Sequence, residues 1–220
     1  ATIGSAFSDV ISKSNMTLSS VELLNEESVP KDAAAIIINA PQKDFNKNDA
    51  QKVIDYLQKG GKAIIVGMHS ETEMPNFASI LDTYGVSLTT GPIADNDAQH
   101  YYNMGGPLYL LPNVNSSSYT GSLSGGYVYL PISLGINYPQ NSTTDDTEST
   151  EESKTTYTSL LDTSDDAVAK NNPNSMQDYG YEDGDDKGPF SVGLAVEDKK
   201  DDDYTTPPVG FASPPVFRAD

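Results

Sequence analysis

Between residues 17 and 90 the chain alternates short apolar runs with amphipathic segments, and this alternation constrains the fold more than any other feature. The run at 33–39 (AAAIIIN) is almost wholly apolar and partly β-branched, which is typical of a strand buried on both faces. An amphipathic helix follows, because Asn46 suits the N-cap position and apolar residues then recur at helical spacing up to Leu57. Gly60-Gly61 supplies the left-handed conformation that commonly ends a helix.

The same pattern then repeats. The apolar run at 62–67 predicts a second buried strand, Pro75 and Gly85 mark the two ends of a second helix, and 86–89 predicts a further strand. Strands that alternate with helices of this length indicate a parallel sheet with crossover helices. We therefore expect a three-layer α/β sandwich with a mostly parallel sheet, flavodoxin-like or class I glutamine-amidotransferase-like, with irregular insertions after residue 100.

Composition subdivides the chain further. We expect a single α/β domain over 1–197, followed by an acidic and Pro-rich tail at 198–220. Within the domain, the predicted parts are a regular strand–helix core at 1–90, a Tyr/Gly-rich elaboration at 100–140, a mobile acidic loop at 141–153, and two later strands at 156–161 and 191–196. Position 1 is Ala and the last residues have no periodicity, so both ends are interpreted as edges of a piece of a longer protein.

The net charge of −19, from 13 basic and 32 acidic side chains, argues against nucleic acid and against anionic membrane surfaces as partners. Residues 141–220 hold 19 acidic and 6 basic groups, so most of this charge lies in the predicted loops and tail. The absence of cysteine excludes disulfide scaffolds, Cys-type zinc sites and the cysteine nucleophile of the amidotransferases. The longest apolar run, 33–38, is far shorter than the roughly 20 residues of a membrane-spanning helix.

An ordered set of segments, spread over about residues 3–197, resembles one known family. The segments are 39–44 (NAPQKD), 53–62 (VIDYLQKGGK), 81–86 (LDTYGV), 160–164 (LLDTS) and 186–190 (DKGPF). The second contains a Gly-Gly turn after a helix that ends in Tyr-Leu, at Tyr56-Leu57-Gln58-Lys59-Gly60-Gly61. The family that these segments resemble is the auxiliary domain of uncharacterised ABC-type transport systems, which is similar to the gliding-motility protein GldG.

This resemblance implies a context for the chain. The domain would lie at the extracytoplasmic face of the cell membrane, anchored through transmembrane helices outside this fragment. Its partners would be an ABC-2 type permease and a cytoplasmic ATPase.

Polar side chains lie at the ends of the strands predicted at 33–39 and 62–67. Asn39 ends the first strand, and His69, Ser70 and Glu71 emerge after the second. Ligands of open parallel sheets bind beyond the carboxyl ends of the strands, so these four are candidate ligand-binding residues. A catalytic interpretation would make His69 a base and Ser70 or a water the nucleophile. Adjacent residues on an extended chain point apart, however, so the pattern favours a polar loop that contacts a ligand or partner.

Seven tyrosines fall within residues 101–138, among many Gly, Ser and Asn residues. We take Tyr101 and Tyr102 as further candidate ligand-binding residues, because aromatic faces beside amides and hydroxyls suit a glycan or a protein partner. The alternative, which the composition favours, is that several of these tyrosines fill the core of a domain without tryptophan.

Metal sites are poorly supported by the residues present. Asp95, Asp97 and His100 are close in sequence, but they are more typical of a solvated loop than of a zinc site. Asp183, Asp185 and Asp186 offer oxygen ligands of the kind that calcium prefers, without the spacing of an EF-hand. Weak calcium binding there is the alternative to a self-repelling, disordered acidic loop, which the pattern favours.

No G-x-S-x-G, P-loop or G-x-G-x-x-G motif is present, so we expect neither catalysis nor a cofactor. The favoured function is a non-catalytic accessory domain of an ABC-2 type transport system that binds a ligand or a partner subunit. A cell-envelope glycan-binding module is the first alternative, and a hydrolase that uses His69 is the second.

Overall fold

The computed structural model describes residues 5–123, 126–140, 155–171, 179–198 and 209–212. These residues form three α-helices and two short 3-10 turns, at Leu23–Asn25 and Gly121–Leu123. The helices are α1 Ser5–Lys13, α2 Lys47–Gln58 and α3 Pro75–Asp82. The strands are β1 Ile36–Asn39, β2 Ala63–Val66, β3 Ser87–Asp95, β4 Tyr109–Leu110, β5 Asn113–Val114, β6 Leu130–Pro131, β7 Leu134–Asn137, β8 Thr155–Asp162, β9 Ala167–Ala169, β10 Asp186–Lys187, β11 Ser191–Asp198 and β12 Val209–Ala212.

The two predicted helices of the regular core are confirmed, and local chemistry explains their ends. The side chain of Asn46 accepts a hydrogen bond from the backbone N–H of Asp49 at 2.9 Å, which caps the start of α2. Gly60 follows α2 at φ +90°, and Gly85 follows α3 at φ +64°, so both glycines adopt the left-handed conformation. The buried residues of α2 recur at helical spacing: Ala50, Val53 and Leu57.

The start of α3 is capped by a residue from another part of the chain. Met74 precedes this helix and provides no side-chain cap. Instead, the carboxylate of Asp44 accepts hydrogen bonds from the backbone N–H groups of Phe77 at 2.9 Å and Asn76 at 3.1 Å. Burial alone would raise the pKa of Asp44, but these N–H groups, the Asn76 side chain and the N–H of Phe45 lower it below 3.8.

Among the described strands, the predicted parallel arrangement is present only around β2. β1 and β2 run parallel, with Asn39 opposite Val66, and α2 connects them. β12 pairs in parallel with the other edge of β2, with Gly210 opposite Ile64. β12 falls within 198–220, where the sequence predicts a tail, and it lies between β2 and β11 in the sheet.

The prediction of a mostly parallel, flavodoxin-like or amidotransferase-like three-layer sandwich is wrong. Eight of the ten pairings between described strands are antiparallel, and only β1–β2 and β2–β12 are parallel. The departure begins at β3, which does not join β2 but pairs with β7 and β9. Parallel neighbours require crossover connections, usually helices, and all three α-helices in the described part of the chain precede Gly85.

The residues after 100, predicted as irregular insertions, supply most of this sheet. The strands predicted at 156–161 and 191–196 are confirmed as β8 and β11, which pair along nearly their whole lengths. The ten-stranded sheet runs in the order β1-β2-β12-β11-β7-β3-β9-β10, with β8 pairing β11 and β5 pairing β8. β4 and β6 form a separate two-stranded sheet. The predicted acidic loop at 141–153 lies outside the described residues.

Two apolar clusters hold these parts together. In the first, the buried faces of α2 and α3 pack against β1, β2 and β11, with Leu57, Ile65 and Ile80 almost completely buried. In the second, Ile93 of β3 packs with Leu110 and Leu130 of the small sheet and with Val192 of β11. The β4–β6 sheet is therefore fixed to the main sheet through its leucines.

Candidate functional site

The carboxyl ends of β1 and β2 bring Asn39 and the segment that follows Val66 to the same edge of the sheet, as their parallel pairing requires. The backbone N–H of Ala40 donates to the carbonyl of Val66 at 2.9 Å. Ala40 is buried and has φ +45°, a conformation that costs a non-glycine residue energy. The chain therefore turns sharply directly after Asn39.

The polar groups at this edge are engaged in local backbone contacts. Nδ1 of His69 lies 3.2 Å from the carbonyl oxygen of Thr90. The hydroxyl of Ser70 donates to the carbonyl of Thr72 at 2.9 Å and accepts from its N–H at 3.1 Å. Glu71 is exposed. His69 and Ser70 thus have different partners, and the geometry is that of a turn-forming hydroxyl rather than of a base–nucleophile pair.

Asp44 also limits what this edge can bind. A helix N-terminus is a ready-made anion site because its first N–H groups lack partners. At α3 the Asp44 carboxylate already accepts hydrogen bonds from two of these groups. The strand-end edge therefore has its most obvious ligand donors occupied by the chain itself.

Tyr101 and Tyr102 belong to a different region, the small β4–β6 sheet. Tyr101 forms an isolated β-bridge with Leu110, and the N–H of Tyr102 donates to the carbonyl of Tyr109 at 2.8 Å. Among the described contacts, nothing joins these two tyrosines to Asn39 or His69. The residues singled out in the sequence thus form two groups.

Around Tyr102 an exposed aromatic cluster is built, which we call the tyrosine surface: Tyr102, Met104, Tyr109 and Tyr129. The rings of Tyr102 and Tyr129 meet edge to face, with centroids 5.9 Å apart, and those of Tyr109 and Tyr129 stack at 6.0 Å. The hydroxyl of Tyr102 lies 3.2 Å from the sulfur of Met104. Tyr102 is 45% exposed and Met104 is 88% exposed, so this apolar cluster faces solvent.

Close packing of the backbone fixes the tyrosine surface in place. A Cβ atom at Gly105 would lie 2.5 Å from the ring of Tyr109, so only glycine lets the backbone approach this ring.

Beyond β6, Ile132 has φ +52° and is 46% exposed. A β-branched residue in this conformation is strained, and such strain clusters at functional sites.

Sequence reasoning named Tyr102 but did not assign Met104, Tyr109 and Tyr129 to a site. Their exposure depends on how β4 pairs with β6, which the sequence alone does not show. Tyr109-Leu110 pairs with Leu130-Pro131, so both leucines point into the core. Tyr109 and Tyr129, each preceding one of these leucines, are left outside the buried core.

The acidic segment proposed as a disordered loop or weak calcium site has another role. Lys170 is completely buried, and its ammonium donates to Asp185 at 2.6 Å, to Glu182 at 3.0 Å and to the carbonyl of Gly180 at 2.8 Å. Asp185 also accepts from the N–H of Asn171 at 3.0 Å. We call these residues the Lys170 network. The expectation of a self-repelling, disordered loop at 182–186 is wrong, because the buried ammonium of Lys170 binds Glu182 and Asp185 in this segment.

The three calcium candidates are not arranged around one point. Asp185 is buried in the Lys170 network, Asp186 accepts from the side chain of Asn171 at 3.0 Å, and Asp183 is exposed. No group of three or more metal-ligating side chains is found within the described residues.

Asp95, considered and set aside as a metal ligand, is a buried structural residue. Its carboxylate accepts from the N–H of Ser164 at 2.9 Å and from the N–H of Asp97 at 3.1 Å. Nδ1 of His100 lies 3.0 Å from the carboxylate of Asp97, and Nε2 lies 3.2 Å from the amide oxygen of Asn113. These contacts tie the end of β3 and the loop after it to the turn between β8 and β9 and to β5.

Comparison with known proteins supports the fold. No family model and no curated protein matches this sequence. The chain is similar to a solved structure described as the mmIFT52 N-terminal domain, with a TM-score of 0.55 and 10% identity over 96% of this chain and 78% of that one. At this identity the likeness shows the fold alone. Across the parts of the chain that are described, no helix has the length and apolarity to cross a membrane.

Proposed function

We propose that this chain is a binding domain that docks a partner protein through its tyrosine surface. The observation that carries the proposal is the solvent-facing cluster of Tyr102 and Met104 on a small sheet whose leucines are anchored in the core. Tyrosine and methionine are enriched at protein interfaces relative to the rest of a protein surface. The rings are already packed against one another, so little side-chain entropy remains to be lost on binding.

The arrangement of the rings favours a protein over a glycan. Sugars stack on free aromatic faces, but the rings of Tyr109 and Tyr129 stack on each other, with planes 21° apart, so each has one face covered. Tyr102 meets Tyr129 at 83° and presents its hydroxyl end to Met104. A flexible apolar thioether that is 88% exposed suits an irregular protein surface.

The resemblance of the sequence to the auxiliary domain of ABC-type transport systems suggests which protein is bound. We infer a subunit of an ABC-2 type transport system, with the permease as the direct partner and a cytoplasmic ATPase as the energy source. The domain would then act at the extracytoplasmic face, held by helices outside this chain. What supports this context is the ordered set of sequence segments, and genomic neighbours that encode such a permease and ATPase are its first test.

The binding proposal is tested with the purified permease encoded beside the full-length gene. Met104→Asp changes a side chain that is 88% exposed and lies outside the buried core, and we expect it to weaken binding at least tenfold, or about 1.4 kcal/mol. Tyr102→Ala should weaken binding by a similar factor.

The matched controls are Tyr181→Ala and Leu24→Asp, which alter a half-exposed tyrosine and a 75% exposed leucine outside the tyrosine surface. Both should leave the affinity unchanged. Equal losses in test and control variants, or no loss in Met104→Asp, would contradict the assignment of this surface. If the domain instead bound members of a glycan array and not the permease, and Tyr102→Ala abolished that glycan binding, the result would favour the glycan-binding alternative.

A further inference from the structure

A cleft of about 380 Å³ lies at the amino ends of β1 and β2, opposite the edge that carries Asn39 and His69. Its walls come from three segments: residues 27–31 and 33–34 before β1, Lys52, Asp55 and Tyr56 of α2, and residues 59–62 that lead from α2 into β2. The volume is in the range of small-molecule sites, roughly 300–1,000 Å³.

The charge of the cleft is opposite to that of the whole chain. Four of the 13 basic side chains line it, together with only two acidic ones, Glu27 and Asp55. The lining therefore carries a net charge of +2 in a chain whose net charge is −19. The four basic residues are Lys31, Lys52, Lys59 and Lys62.

The ammonium groups of three of these lysines have no partner among the described residues. Lys52 is engaged, since its ammonium donates to the carbonyl of Leu23 at 2.6 Å and to Asp49 at 3.0 Å. The ammonium groups of Lys31, Lys59 and Lys62 form neither hydrogen bonds nor ion pairs with any described residue, although 32 acidic side chains are present in the chain. Three unneutralised cations thus surround one concave site.

The floor of the cleft is fixed. Val29 is 5% exposed, and the hydroxyl of Tyr56 accepts the N–H of Lys62 at 3.2 Å. A Cβ atom at Gly61 would lie 2.3 Å from the ring of Tyr56, so this glycine lets the ring lie against the turn. At Gly60 no atom lies within 4 Å of the Cβ position, and the wall is open there.

We propose that this cleft binds a phosphate group, carried either by a soluble phosphate ester or by a phospholipid headgroup. Lysine is a common phosphate ligand, and its ammonium group binds phosphate as a point charge on a flexible stem. The local positive charge counters the repulsion that a chain of net charge −19 exerts on anions. The site is separate from the tyrosine surface and does not depend on the function proposed for it.

The experiment is a titration of the ¹⁵N-labelled chain with inorganic pyrophosphate at physiological ionic strength, followed by NMR. We expect the amide signals of Gly60 and Gly61 to shift in a saturable manner, while that of Gly106, which does not line the cleft, stays in place. The variant Lys31→Gln/Lys59→Gln/Lys62→Gln should bind about tenfold more weakly, since each exposed charge contact contributes up to about 1 kcal/mol.

Exposed lysines outside the cleft provide the matched control. Lys43→Gln/Lys47→Gln changes the net charge in the same direction and should leave the affinity unchanged. Vesicles that contain phosphatidic acid distinguish the two sources. Tighter binding to these vesicles than to pyrophosphate identifies a headgroup, and the reverse identifies a soluble ester. No saturable shift of Gly60 and Gly61, or equal weakening in the control, would overturn the proposal.

Discussion

The Lys170 network lets the contribution of one buried ion pair be predicted from its geometry. Lys170 is fully buried, the Asp185 side chain is 2% exposed, and the Glu182 side chain is 41% exposed. Removing one partner of a buried pair leaves an uncompensated charge in the interior and costs about 3–5 kcal/mol. A largely solvated pair contributes about 1 kcal/mol or less. We therefore expect Asp185→Asn to lower the free energy of unfolding by about 3–5 kcal/mol and Glu182→Gln by about 1 kcal/mol or less.

Urea unfolding followed by tyrosine fluorescence is the suitable assay, because the chain has 13 tyrosines and no tryptophan. With a urea dependence of about 2 kcal/mol per molar, a loss of 4 kcal/mol moves the midpoint by about 2 M. Lys170→Met should be as costly as Asp185→Asn, since it isolates the buried carboxylate. The double variant Lys170→Met/Asp185→Asn should cost clearly less than the sum of the two single changes.

The pH dependence of this stability follows from the two pKa shifts. Burial alone would raise the pKa of Asp185, but hydrogen bonds from Lys170 and from the N–H groups of Glu182 and Asn171 lower it below 3.8. Its contribution is therefore fully present above pH 3.8 and is lost as the pH falls through the lower pKa of the folded state. Burial alone would lower the pKa of Lys170, but Asp185 and Glu182 raise it above 10.5, so its contribution is lost only as the pH rises beyond that value.

The difference in the free energy of unfolding between the wild type and Asp185→Asn should therefore become smaller as the pH falls below 3.8. Equal small losses in Asp185→Asn and Glu182→Gln, or a difference that does not respond to acid, would refute this reasoning.

Three further predictions concern single contacts. Asp44→Ala removes the cap of α3 and should lower the free energy of unfolding, measured by urea unfolding at neutral pH, by about 1–2 kcal/mol. This loss should become smaller below pH 3.8, where the wild-type carboxylate is progressively protonated. An unchanged urea midpoint would contradict the role of Asp44 as a cap. Gly91→Ala should disrupt the pairing of β3 with β9, because its Cβ would lie 1.6 Å from the carbonyl oxygen of Lys170, whereas Gly121→Ala meets no atom within 4 Å and should be tolerated. Circular dichroism melts compare these two glycine variants, and equal melting temperatures would be evidence against the predicted clash. Ser133→Ala should stabilise the protein by about 1 kcal/mol, because the buried hydroxyl has no hydrogen-bond partner among the described residues; a lower urea midpoint would show that the hydroxyl is satisfied.

The parts of the fold that the sequence predicts are those set by local chemistry. The α2 helix has its cap, its apolar stripe and its terminal glycine within 15 residues, and the β1–α2–β2 unit follows from them. The antiparallel part is not predictable in this way. β4, β5, β6 and β10 are two residues long and show no periodicity, and β3 pairs with strands that lie more than 40 residues away.

The candidate sites likewise include residues whose placement follows from local sequence and residues whose placement depends on pairing with distant segments. The abundance of tyrosine pointed to Tyr102, but which rings face solvent depends on the register of β4 with β6. Lys170 directly follows the Ala-Val-Ala strand β9, and its burial depends on Asp185, which lies 15 residues further along the chain. The sequence alone predicts a self-repelling loop for the segment that contains Asp185. Conversely, the adjacency of Asn39 and the segment after β2 was predictable, since parallel strands align their carboxyl ends.

The position of β12 has a consequence for how the chain assembles during synthesis. Within the described residues, β1 and β2 share no strand pairing with the antiparallel part, and the sheet is continuous only through residues 209–212. β2 and β11 therefore each keep an open edge until residue 212 has left the ribosome. Open edges are the sites at which strands from different chains pair wrongly. In the interval between the emergence of β11 and that of β12, both of these edges are therefore open to mispairing with another chain.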